Sequence, residues 1–277
     1  MPELPEVETI RSRLEPALKG KTLESVMILD PRLTAPLPPA PLAATLVGEQ
    51  VLDVRRRGKY LVFDLSSGRH LLVHLRMTGG FLLGANGTLV DDPYRRAVVR
   101  LDDGSDVVYR DVRRFGTWLL LEDDELEPYL TQRLGEEPLA RQFTPSRLGR
   151  ALASRRAPIK SVLLDQRTVA GIGNIYADEA LWRARVHPLR SAGELSEPEV
   201  RALHRALRAV LRTGLARQGA TLRDYRDPEG RTGSMQDEFQ VYGRGGEPCR
   251  RCRAPIARLR IAGRSSWYCP SCQPAPG

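Results

Sequence analysis

The chain has no run of about 18 consecutive apolar residues, the minimum for a membrane-spanning helix, so a span is excluded. Its first residues, MPELPEVET, contain neither a basic stretch nor an apolar one. They are not expected to act as a secretory signal, and the expected compartment is the cytoplasm. Histidine is scarce: His70, His74, His187 and His204 are scattered, which argues against histidine-centred chemistry. Lysine is equally scarce, with Lys19, Lys21, Lys59 and Lys160 set against 39 arginines. There are only four cysteines, and in a reducing compartment disulfides are rare. No internal repeat and no long low-complexity tract is present. What remains is a chain of 277 residues, 41% hydrophobic, enough for a substantial core and better suited to two domains than one. Acidic residues fall short of basic ones, 34 against 43, for a net charge of +9. A GC-rich genome explains arginine over lysine but not the excess over acid. That excess points to a polyanionic partner, most often nucleic acid.

Leu4, Val7, Ile10, Leu14 and Leu18 repeat at helical spacing and predict a helix from about Pro2 to Leu18. PLPPAP at residues 36–41 predicts a loop. From about 46 to 121 the runs VLDV, YLVFDL, RHLLVHL, AVVRL, DVVYR and TWLLL alternate with Gly, Asp and Ser, as in an antiparallel sandwich or barrel. Residues 122–217 read as helical, with a helix over 196–216 started by Ser196 as N-cap and Pro198 in the first turn. From about 218 the chain reads as loop, then a cysteine-bearing hairpin with strands near Ile256–Ile261 and Ser265–Tyr268.

Cys249, Cys252, Cys269 and Cys272 form two CxxC turns separated by sixteen residues. This spacing suits one tetrahedral zinc on a β-hairpin, with disulfides or free thiols as the alternatives. Four thiolates close the coordination shell, so such a zinc is structural and does not activate water. Arg258, Arg260 and Arg264 lie on the same hairpin. They either solvate it or, for Arg264 at its tip, probe phosphate.

At the other end, Met1 precedes Pro2, and removal of Met1 would leave Pro2 as a free secondary amine. An α-amino group is partly unprotonated near neutrality and can attack a sugar carbon to give an iminium. Glu3 falls on the apolar side of the first helix, a setting suited to a general acid, and Glu6 follows three residues later. The plainer alternative is an ordinary helix start, with Pro and acids complementing the dipole. Lys59 stands alone after three arginines; a lysine can shed its proton on burial, yet a basic strand end facing phosphate fits as well. Met77 and Phe115 sit beside Arg76 and Arg114 in HLRMTG and DVRRFG. They are either core residues or apolar groups that fill the gap left by an extruded base. AGIGN, ending at Asn174, precedes a predicted helix at Ile175–Trp182. With Arg155 and Lys160 it suggests a phosphate grip, although GIGN alone is a weak signal.

MPELPEVET, RRGKYL, HLRMTG, RRFG, GIGNIYADEAL, VYGR and the CxxC pair with GRSSWYC together resemble the bacterial formamidopyrimidine-DNA glycosylase family over essentially the whole chain. The MPELPE start is more similar to this branch than to the related endonuclease VIII branch. The resemblance implies an α+β fold. An antiparallel β-sandwich with flanking helices would span residues 1–133, a helix–two-turns–helix DNA-binding domain 134–236 and a zinc-finger hairpin 237–277. Damaged double-stranded DNA would lie between the domains, bound by a monomer in the bacterial cytoplasm at the nucleoid. The implied roles are Pro2 as Schiff-base nucleophile, Glu3 as general acid, Lys59 in lesion handling and β-elimination, and Arg264 in phosphate contact and δ-elimination. Asn174 would grip phosphate, with Arg155 and Lys160 as further DNA contacts. Glu6 would serve lesion recognition, and Thr221–Gln236 would cover the extruded base. Met77, Arg113 and Phe115 would occupy the space that the base vacates. One structural zinc is the implied cofactor.

Three positions depart from the family's pattern: Arg76 where Gly is usual, Val112 where Pro is usual, and Tyr94 where many members have a DNA-contacting His. The expected activity is excision of oxidised purines followed by β,δ-elimination. Excision of oxidised pyrimidines by the same chemistry is the alternative within enzymes. A non-catalytic zinc-ribbon nucleic-acid binder is the alternative outside them.

Overall fold

Leu4, Val7, Ile10, Leu14 and Leu18 are all buried along α1 (Leu4–Leu18), so the helical spacing read from the sequence is the packing stripe. The helix begins after Glu3, which is its N-cap, with Pro5 in the first turn, where a missing N–H costs nothing. The computed structural model describes residues 1–85, 87 and 92–276. They divide into two units: residues 1–131 with 217–234, and residues 132–216 with 235–277.

In the first unit α1 is followed by β1 (Leu23–Ile28), α2 (Pro39–Leu46), β2 (Val51–Arg57), β3 (Tyr60–Leu65), β4 (His70–His74), β5 (Gly79–Ala85), β6 (Arg95–Leu101), β7 (Ser105–Asp111), β8 (Thr117–Leu121) and α3 (Asp123–Thr131). Two antiparallel four-stranded sheets result, in the orders β1-β6-β7-β5 and β2-β3-β4-β8. Their inner faces share one core with α1, in which Val54, Phe63 and Val73 of one sheet meet Phe81, Val99 and Tyr109 of the other. This is the expected sandwich. Two strands escape the alternation rule: β1 is largely exposed, with Met27 facing out, and β5 opens with two glycines. The stretch read as a Pro-rich loop is in part α2, because Pro39 occupies the first turn of a helix, where proline is tolerated.

The second unit contains α4 (Pro145–Leu152), α5 (Ile159–Leu164), α6 (Asn174–Ala184), α7 (Glu197–Ala216), β9 (Ala257–Ile261) and β10 (Arg264–Tyr268). Ser196 starts α7 as expected: its N–H and hydroxyl both donate to Glu199, at 2.7 and 2.8 Å. α6 is buried along nearly its whole length and packs on α5, α7 and β10. β9 and β10 pair antiparallel as the hairpin between the two CxxC turns.

Candidate active site and metal centre

The start of the chain is held from three sides within the first unit. Glu3 and Glu6 form a reciprocal capping box, in which the Glu3 N–H donates to Glu6 Oε2 at 2.8 Å. The other Glu6 oxygen accepts the Ala220 N–H at 2.8 Å, and the Tyr225 hydroxyl donates to the Gln218 carbonyl at 3.1 Å and to the Glu6 carbonyl at 3.4 Å. The segment 217–234 is thereby tied to the helix that begins the chain. Gly219 is required at this closure: a Cβ there would sit 2.7 Å from Glu6 Cγ, and its φ is +81°.

Lys59 reaches the same neighbourhood through a tight hairpin. Arg57 pairs with Tyr60, leaving Gly58 and Lys59 as the two turn residues. Gly58 has φ +58° and Lys59 does not share the positive φ, the pattern of a type II′ turn with Gly first. Lys59 is buried, like Pro2, Glu3 and Glu6. The terminal amine of Met1 feels these groups directly. Burial pulls its pKa below the ordinary value; the charges of Glu3, Glu6 and Asp224 act upward and that of Lys59 downward. His74, at the end of β4, is pushed down to about 3 by burial, with Arg76 and Lys59 adding to the effect. It is therefore neutral, and its Nδ1 accepts the Arg76 N–H at 3.0 Å.

Met77 and Phe115 are exposed, 39% and 52%, so neither is a core residue. The Arg113 guanidinium lies 4.8 Å from the Phe115 ring centre. Tyr94 is exposed beneath the Arg110 guanidinium, at 5.7 Å. Arg76 adopts φ +53°, the left-handed region that a glycine at this position would occupy without strain. Val112 is half-buried in the turn after β7.

In the second unit the four cysteine sulfurs lie within 4.8 Å of one another. Four thiolates at zinc–sulfur distances of about 2.3 Å would sit about 3.8 Å apart, so the cluster fits one structural zinc. Cys249 and Cys269 are buried, and Cys249 packs with Trp182, Val241 and Ile256. Arg264, the first residue of β10, is exposed directly after the hairpin turn, and Arg155 is exposed after α4.

Lys160 does not lie where a phosphate contact needs it. Its side chain is fully buried, 2.7 Å from Asp178, and its ammonium donates to the Ser265 carbonyl at 2.9 Å. Asp178 also accepts the Ser266 hydroxyl at 2.9 Å and the Trp267 N–H at 3.1 Å. The Asn174 amide, at the start of α6, donates to the same Ser265 carbonyl at 3.1 Å. A buried ammonium needs a buried counter-charge, and here it has one. The pairing with Asp178 was invisible at eighteen residues' separation, and with it Lys160 becomes a strut between α6 and the zinc hairpin. Burial pushes Asp178 up to about 6 despite the lysine beside it. Asp111 and Asp178, the two acids that organise these loops, lie within DVRRFG and GIGNIYADEAL, but sequence reasoning gave neither a role.

Residues 1–118 match the formamidopyrimidine-DNA glycosylase N-terminal domain, 134–226 the formamidopyrimidine-DNA glycosylase H2TH domain, and 246–275 the zinc finger found in FPG and IleRS. A formamidopyrimidine-DNA glycosylase of Chloroflexus aggregans is 46% identical over 99% of this chain and 98% of its own length. Among solved structures, a mutant Lactococcus lactis FPG bound to Fapy-dG containing DNA is similar, with a TM-score of 0.93 and 37% identity over 99% of this chain and 100% of that one. The wild-type Lactococcus lactis FPG with an oxidized pyrimidine containing DNA has a TM-score of 0.91 and 36% identity, over 99% and 100%.

Proposed function

Because the chain belongs to the formamidopyrimidine-DNA glycosylase family, a base-excision-repair glycosylase with abasic-site lyase activity, we propose that it works through Pro2 as a Schiff-base nucleophile and finishes by β,δ-elimination. The observation that carries this reading is the setting of the N-terminal amine. Burial lowers the pKa of the Met1 amine among Glu3, Glu6, Lys59 and Asp224, and Pro2, buried in the same setting, would on removal of Met1 present its nitrogen to surroundings that favour the neutral, nucleophilic form.

With Met1 removed, the Pro2 nitrogen attacks C1′ of the damaged nucleotide. The bond from C1′ to the base breaks, and the base leaves with a proton. Glu3, held at the mouth of α1, supplies the acid for this step and for opening of the sugar ring. The resulting iminium acidifies the C2′ proton; its removal expels the 3′ phosphate. A second elimination expels the 5′ phosphate, and hydrolysis of the imine frees Pro2. Lys59 handles the lesion and the first elimination, and Arg264 steadies the phosphate for the second. Asn174 and Arg155 grip the backbone. Met77, Arg113 and Phe115 enter the duplex where the base has left, and the segment from Thr221 covers that base. Glu6 serves the lesion at one remove, through the Ala220 amide it holds.

Oxidised purines are the proposed substrates. The Lactococcus lactis FPG solved with oxidized pyrimidine containing DNA favours pyrimidine lesions as a second class. The enzyme acts as a monomer on the nucleoid.

Borohydride trapping on an 8-oxoguanine duplex tests the chemistry: a covalent adduct forms with the native protein and is lost in Pro2→Gly. Tight binding without an adduct would leave a non-catalytic binder instead. Mass spectrometry of the mature chain checks that Met1 has gone, and cleavage of thymine glycol duplexes in parallel ranks the two lesion classes.

A further inference from the structure

We infer that Asp111 is a positioning residue that locks the Met77 turn, the Arg113–Phe115 turn and the Tyr94 segment into one rigid body, so that their exposed side chains meet a duplex together. The inference rests on the reading that Met77, Arg113 and Phe115 enter the helix beside the lesion.

Asp111 ends β7 and is fully buried. One carboxylate oxygen accepts the Thr78 hydroxyl and the Arg113 N–H, the latter at 3.1 Å. The other accepts the Phe115 N–H at 2.9 Å and the Gly116 N–H at 2.8 Å. Its own N–H donates to the Tyr94 carbonyl at 2.9 Å, and its carbonyl accepts Arg96 Nε at 2.9 Å. Thr78 closes the circuit: the same oxygen that donates to Asp111 accepts the Arg113 N–H at 2.9 Å. A single side chain thus satisfies the amides of one turn and, through one hydroxyl, fastens it to another.

The arrangement is more than an aspartate folding its own turn. Arg114, between Arg113 and Phe115, has φ +59°, a costly conformation for a non-glycine residue that persists only where its surroundings over-determine it. Asp111 fixes the amides on either side, and Asp30 clamps the Arg114 guanidinium with two hydrogen bonds, at 2.5 and 3.0 Å. Met77 and Phe115 are meanwhile left exposed on turns that the Thr78 hydroxyl joins.

Thr78 is the place to test this, because its hydroxyl links the turns without forming either. Thr78→Ser keeps the link and Thr78→Val removes it at nearly constant volume. We expect Thr78→Val to fold normally and to lower single-turnover kcat on an 8-oxoguanine duplex by about 10-fold, with KM changed far less, as for a misplaced rather than missing group. Thr78→Ser should restore the rate. A 2-aminopurine opposite the lesion should report insertion: its signal should shrink in Thr78→Val and return in Thr78→Ser. Met77→Ala and Phe115→Ala should be strongly non-additive in the native background and near-additive with Thr78→Val. Asp111→Asn should reproduce the Thr78→Val signature more severely; if it fails to fold, the Thr78 pair still decides. Equal rates and equal 2-aminopurine signals for Thr78→Val and Thr78→Ser would overturn the inference. Native protein that cleaves no lesion duplex would overturn the functional reading instead, and is scored first.

Discussion

The first unit has 21 basic and 23 acidic side chains, and the second has 22 basic and 11 acidic. The whole net positive charge of the chain therefore belongs to the unit that holds the zinc cluster, and the unit that holds the N-terminal amine is slightly acidic. A polyanion is drawn to the second unit from a distance, whereas the first is spared a field that would compete with local tuning of its amine. In the first unit the important charges face short-range partners: Glu6 faces the Glu3 and Ala220 amides, and Asp111 faces two turns. In the second the buried charges serve architecture, with Lys160 and Asp178 bracing the hairpin.

The contrast can be broken most forcefully at the metal. Chelation, or Cys249→Ser, should forfeit roughly 10 kcal/mol of binding energy and unfold the hairpin. Metal content and calorimetry should show the second unit melting early and DNA binding lost, with the transition of the first unit retained. A single merged transition would show that the two do not hold themselves up separately. Next is Lys160→Met. It strands Asp178 in a buried site and should cost about 3–5 kcal/mol, read by denaturant melts. An effect confined to salt-dependent DNA affinity would instead return Lys160 to the surface role first expected of it.

Acidification should then pull the units apart. The His74 pKa is depressed, to about 3 against an ordinary 6.5. Its contribution is present above 6.5 and is lost as the pH falls through 3, at up to about 1.4 kcal/mol per pH unit. The Asp178 pKa is raised, to about 6 against 3.8. Its contribution is full below 3.8 and is lost as the pH rises through 6. Between about pH 4 and 6 the two terms have opposite slopes, and His74→Gln should flatten only that of the first unit. The smallest effect belongs to Arg76→Gly, which should relieve the left-handed strain and raise the stability of the first unit by about 0.5–1 kcal/mol in thermal melts.

Features written locally in the chain were legible. The CxxC pair, the stripe on α1, the start of α7 at Ser196 and six of the eight sandwich strands each declare themselves within a short window of sequence. β1 was hidden because an exposed strand carries little alternation, β5 because glycines open it, and α2 because prolines that break a helix interior are tolerated in its first turn. In the candidate site the exposure of Met77 and Phe115 decides against the core alternative that the sequence left open. What sequence could not give was pairing across distance. Lys160 reads as one more surface cation until Asp178 is beside it, and Asp111 reads as a turn residue until Thr78 arrives from the turn before β5.

The bond from the Ala220 amide to Glu6 also bears on how the protein is made. Residues 132–216 interrupt the first unit, so a ribosome that has completed 131 residues has not yet completed that unit. The cap over the N-terminal helix emerges only after the helices of the second unit, and the tie spans more than 200 positions of chain. The site is thus sealed late in synthesis. Until then the nascent chain exposes the edge of α1 with the Glu6 carboxylate unmet by Ala220, a stage at which a folding chaperone has a defined surface to protect.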